Sequence, residues 1–186
     1  MADDQVWHSA NIPADFPTHD DIVNSCAKAG PNRNGVCIQV AGKPRLWIKY
    51  DKDSVIRGEG RTQAHVAGIM NTNPASVVRV PEVHLGFSRG KRGYIVMDFV
   101  QGTTFAKCKS SKGNYYKNDI KAVAAAVQQL TNIRMPAGTT PGPVGGGRIG
   151  NDFFVECLSA LEYPTVGHLE AQINEVCFPL AFGASH

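Results

Sequence analysis

A chain of 186 residues with 42% hydrophobic and 19% charged residues has the composition of one ordinary globular domain, which argues against intrinsic disorder. Its formal charge of +3 is scattered, with only Arg89, Lys91 and Arg92 close together, too weak a field to argue for a nucleic-acid partner. The longest apolar stretches, such as Val123 to Val127 and Cys177 to Phe182, fall far short of the roughly 20 residues that span a bilayer, so no membrane partner is expected and the chain reads as soluble.

The N-terminal Met1-Ala2-Asp3-Asp4 is acidic and lacks the cationic and apolar regions of a secretory signal. Five cysteines, Cys26, Cys37, Cys108, Cys157 and Cys177, are odd in number and form no C-x-x-C pair, against both a disulfide framework and a zinc cluster. No metal site is expected, and a reducing cytoplasmic location is the simplest reading.

Residues 1–34 hold Pro13, Pro17, Gly30 and Pro31 among Asp and Asn residues, which predicts an N-terminal arm with one short helix over Asp20 to Ala29. Gly35 to Val40 and Arg45 to Tyr50 are β-rich runs flanking Ala41-Gly42-Lys43-Pro44, a hairpin pattern. Ser54 is placed to cap a helix over Val55 to Met70, on which Glu59, Thr62, Val66 and Ile69 share one face. Gly58, Gly60 and Gly68 each cost that helix about 1 kcal/mol against Ala, so packing has to hold it.

A second hairpin is predicted from Glu82 to Phe87 and Gly93 to Phe99, around a basic turn at Ser88 to Arg92. An Ala-rich helix follows over Asn118 to Ile133, with Ile120, Val123, Val127 and Leu130 on one stripe. The six glycines between Ala137 and Gly150 read as a long loop, a lid or a linker, because they lack the strand before and helix after that a phosphate cradle needs. A last helix is predicted over Val166 to Phe178. The order of hairpin, helix, hairpin and then helices is an α+β pattern, an antiparallel sheet with a packed helix and a reduced helical part after it. The expected division is an arm at 1–34, a sheet-bearing lobe at 35–105 and a helical remainder at 106–186, packed as one domain.

Leu46-Trp47-Ile48-Lys49-Tyr50, Gly58-Glu59-Gly60-Arg61-Thr62, Val80-Pro81-Glu82-Val83 and the strand from Arg92 to Thr104 resemble the small lobe of fungal aminoglycoside-phosphotransferase-like proteins, which share the protein-kinase fold. The resemblance covers roughly residues 35–133. It implies that Lys49 takes the place of the lysine that contacts nucleotide phosphates, that Glu59 is its carboxylate partner on the helix, and that Met97-Asp98-Phe99-Val100 matches the hinge that holds adenine.

The departures from that family point away from its chemistry. The chain is read as lacking any His-x-Asp loop with a metal-binding Asp after it, and Asp98-Phe99-Val100 matches the hinge, so it is no displaced Asp-Phe-Gly. Before Val36 stands Asn32-Arg33-Asn34-Gly35 and not a G-x-G-x-x-G loop. Trp47 shares a strand face with Lys49, where the family keeps a small residue against adenine.

The expectation is therefore a kinase-like small lobe without phosphotransferase machinery, needing no cofactor. Its cleft would bind a hydrophobic small molecule against Trp47, Met97, Asp98 and Phe99, with Lys49 and Glu59 as the catalytic pair of a metal-free cyclisation or isomerisation, such as a Diels–Alder ring closure in secondary metabolism. The rival readings are a non-catalytic regulatory or scaffold module, self-associating as a homodimer through the surface of the missing lobe, and a residual small-molecule phosphotransferase fragment. Lys49 with Glu59 also fits a purely architectural ion pair and Trp47 plain core packing, while His65 and His84 read as ordinary helix and strand residues.

Overall fold

The computed structural model describes residues 4–10, 12, 15–30, 35–40, 43–109 and 113–177. Five strands, β1 (Gln5–Ser9), β2 (Val36–Val40), β3 (Lys43–Lys52), β4 (Val83–Arg89) and β5 (Arg92–Asp98), form one antiparallel sheet in the order β1-β4-β5-β3-β2. With them run the helices α1 (His19–Ala29), α2 (Asp53–Met70), α3 (Lys117–Thr131) and α4 (Val166–Cys177), so the class is α+β. The chain divides into two compact units, Met1–Arg134 and Met135–His186. No helix among the described residues is long and apolar enough to cross a membrane.

In the first unit the sheet is covered on both faces, and strand alternation decides which side chain meets which helix. Leu46, Ile48 and Tyr50 of β3 turn to one face, where they pack with Leu85, Phe87, Tyr94 and Val96 against Ile22 and Cys26 of α1. Full burial of an aliphatic side chain such as Ile22 or Ile48 contributes about 1.5–3 kcal/mol. Helix α1 opens on a capping box between Thr18 and Asp21, and the Tyr50 hydroxyl donates to the carbonyl of Gly30 at its end, 2.6 Å away.

On the other face Ile56 and Ala64 of α2 pack with Val83, Ile95 and Met97, and Trp7 and Trp47 pack against that cluster. Helix α2 begins before the expected Ser54: its cap is Lys52, which makes no side-chain capping bond. Its entry is held instead by Asp53, whose amide donates to the Lys91 carbonyl and whose carboxylate accepts from Arg57 and Ser88. The second hairpin is tighter than its sequence predicted, turning at Gly90 and Lys91, with Gly90 at φ +62°, a value only glycine adopts at little cost.

Strand β1 lies inside what the sequence presented as an arm. It pairs with β4 across more than seventy positions, and its register shifts between Val6 and His8, which leaves Trp7 as the extra residue of a bulge. The indole enters the space between α2 and β4: a Cβ built on Gly60 would sit 2.6 Å from it, and one on Gly86 2.4 Å.

Helix α3 belongs to the first unit and is tied to the loop after α2, where Gln129 donates to the Ala75 carbonyl and accepts from the Val77 amide. Its apolar stripe is exposed, at 51% for Ile120, 41% for Val123, 53% for Val127 and 39% for Leu130. In the second unit the end of the glycine-rich loop is anchored: Ile149 and fully buried Ser159 exchange hydrogen bonds, and Arg148 donates to the Ser159 carbonyl. Tyr163 is the other buried centre of that unit, its hydroxyl donating to Gln172 of α4 at 2.6 Å.

Candidate small-molecule cleft

The chemistry-bearing residues gather where β3 faces α2. Trp47, Lys49 and Asp51 alternate onto that side of β3, while Ile56, Glu59 and Gln63 recur at helical spacing along the facing side of α2. Together with Met97 of β5 they line a cleft of about 930 Å³. Strand β2 pairs with β3 only as far as Val36 opposite Ile48. Tyr50, Lys52 and Arg92 belong to the opposite sheet face, yet they and Lys91 also line the cleft, so it reaches round the end of β3.

Lys49 Nζ donates to Glu59 Oε1, with both side chains 36% exposed. At that exposure water screens the pair, and an ion pair of this kind contributes about 0–1 kcal/mol to stability. Its effect is positional: Glu59 holds the Lys49 ammonium at the cleft wall. Gln63 fixes the neighbouring wall by donating to the Pro81 carbonyl at 3.0 Å and to Met97 Sδ at 3.2 Å. The indole of Trp47 lies against Gly35, where a Cβ would come within 2.6 Å of both the ring and the Ile48 carbonyl. Glycine at 35 is therefore what allows an indole at 47.

Four of the six residues expected at a site, Trp47, Lys49, Glu59 and Met97, line the cleft together. The other two do not. Phe99 stands beside it, its ring centroid 6.4 Å from that of Trp47. Asp98 is turned away: one carboxylate oxygen lies 2.9 Å from His84 Nε2 and the other accepts from the Glu82 amide at 3.1 Å. The reason is alternation, since Asp98 follows Met97 and therefore faces the other side of the sheet.

His84 is a strand residue of β4, as its sequence context suggested, and that contact also sets it in a histidine and carboxylate pair. It is 8% exposed, and its Nδ1 has no hydrogen-bond partner among the described residues. A signal was available in the sequence, because a hairpin pairing the strand ends brings residue 84 near residue 98. The reading that no His-x-Asp occurs is corrected by His19-Asp20-Asp21, which has that spacing but does other work. His19 reaches Asp4 at 2.7 Å, Asp20 accepts from Arg89 and Asp21 caps α1, all away from the cleft. Among the described residues no group of three or more His, Cys, Asp or Glu side chains is gathered to hold a metal ion.

Compared with protein-family models, curated proteins and solved structures, the chain has no match.

Proposed function

We propose that this chain is a kinase-like small lobe turned from phosphoryl transfer to the binding of a hydrophobic small molecule, in a reducing cytoplasm. Its cleft would shape a flexible substrate for a cofactor-independent cyclisation or isomerisation of the Diels–Alder type. The observation that carries this reading is the Lys49–Glu59 pair beside Trp47 in a cleft of about 930 Å³, within the size range of small-molecule sites. Trp47 and Met97 supply an apolar wall against which a chain can fold into a reactive shape. Lys49, steadied by Glu59, supplies one hydrogen bond to a carbonyl on which charge grows in the transition state.

The test is a ligand screen by melting temperature, followed by Lys49→Ala and Trp47→Ala. Loss of binding and turnover in both variants is expected; binding and turnover untouched in both refute the reading. Millimolar ATP with Mg²⁺ belongs in the same screen. An upward shift that disappears in Lys49→Ala replaces this reading with a nucleotide-binding one, the residual phosphotransferase.

The exposed stripe of α3 favours a second reading, a non-catalytic module that docks a partner or a second copy of itself there. Light scattering on the purified chain tests it: a dimer converted to monomer by Val123→Lys and Val127→Lys supports docking between copies, and a monomer at all concentrations rules that form out.

A further inference from the structure

Resting on the proposed cleft, we infer that its ligand is an elongated amphiphile with an anionic end, whose apolar body lies on Trp47 and whose carboxylate, or a group of like charge, is received by Lys52, Lys91 and Arg92. Lys52 and Arg92 are register partners across β3 and β5, and Lys91 precedes Arg92 in the hairpin turn, so three cations are held at one end of the cleft. No carboxylate pairs with any of the three among the described residues. The counter-charges in the lining are Glu59, which Lys49 already engages, and Asp51, one oxygen of which accepts from the Lys52 amide. Arg92 lies over the Tyr50 ring at 5.9 Å, a contact that leaves its charge intact.

The separation sets the ligand's length. Trp47 and Lys52 are five residues apart on one strand, which at a strand rise of about 3.3 Å per residue is about 17 Å. A small planar acid cannot touch both ends, whereas a carboxylate at one end of a long alkyl chain that carries a ring at its other end can. The apolar wall and the basic end then read different parts of one molecule, the wall its body and the cations its charge.

The probe is 11-(dansylamino)undecanoic acid, with its methyl ester as the uncharged control, followed by dansyl fluorescence in the full chain. The acid is expected to bind about ten times more tightly than the ester. The triple variant Lys52→Gln, Lys91→Gln, Arg92→Gln removes that preference while leaving ester affinity unchanged. Raising NaCl from 0.05 to 0.5 M weakens the acid and spares the ester. Trp47→Ala weakens both. Equal affinity for acid and ester, or a preference that survives the triple variant, overturns the anionic end and leaves the cleft standing. Failure of wild type to bind either probe, or binding indifferent to Trp47→Ala, overturns the cleft reading and this inference with it.

Discussion

Two glycines of α2 have the same helix propensity and opposite surroundings, and replacing each with alanine separates local from tertiary energetics. Gly68 is exposed with nothing within 4 Å of an added Cβ, so Gly68→Ala is expected to stabilise the fold by about 1 kcal/mol. Gly60→Ala gains the same propensity, but its Cβ would meet the Trp7 ring at 2.6 Å and the Ile95 side chain at 3.1 Å. Overfilling a packed site costs about 1–3 kcal/mol, so the two variants are expected to differ by about 2 kcal/mol, with Gly60→Ala the less stable. Urea titration of both variants gives the difference directly, and in a thermal scan it corresponds to several degrees. A Trp7→Ala background is expected to recover most of the deficit of Gly60→Ala, because the two sites share the clash. If Gly60→Ala stabilises as much as Gly68→Ala, the indole does not occupy the slot and the account of how α2 is seated fails. The consequence reaches the cleft, since Glu59 neighbours Gly60 and meets Lys49 only when α2 keeps that seat.

Lys49→Met is expected to change stability by less than about 1 kcal/mol, because the pair is screened; a loss of several kcal/mol in denaturant unfolding contradicts the exposed placement of Lys49 and Glu59. The hydrogen bond from Arg89 holds the Asp4 carboxyl down at about 2 from an ordinary 3.8. A lowered carboxylate stabilises the fold above its unfolded pKa and loses that contribution as pH falls through its folded one. Stability is therefore expected to drop between about pH 4 and pH 2, and the drop to flatten in Asp4→Asn, as read from urea midpoints against pH. Burial pushes the Cys26 thiol up to about 12, whereas Cys157 is exposed. Thiol titration with a disulfide reagent at pH 8 is expected to label Cys157 in the native protein and Cys26 only after unfolding; early labelling of Cys26 contradicts its place on the buried face of α1.

Most of what was legible in the sequence is short-range. The alternation in Arg45 to Tyr50 announces β3 and puts Trp47 beside Lys49 on one face, as observed. The flanking breakers and helical spacing bring the bounds of α1 and α3 to within a residue or two and the start of α4 to Val166, while its expected end at Phe178 lies outside the described residues. The pairing of Lys49 with Glu59 was reached through a family resemblance and not through spacing, and Asp98 was misplaced because a hinge analogy says nothing about alternation beyond Met97.

Local periodicity, chain reversals and the shared face of Trp47 and Lys49 were written in the amino-acid sequence, because each depends on neighbours a few positions apart. Tertiary structure alone decided the rest. It brought Gln5–Ser9 to the sheet edge against a strand more than seventy residues later, slid Trp7 between Gly60 and Gly86, and set Gly35 under Trp47. It also gathered Lys52, Lys91 and Arg92 at one end of the cleft. Such contacts join chemically unremarkable residues far apart in the chain, and the packing that selects them has no local period to announce it.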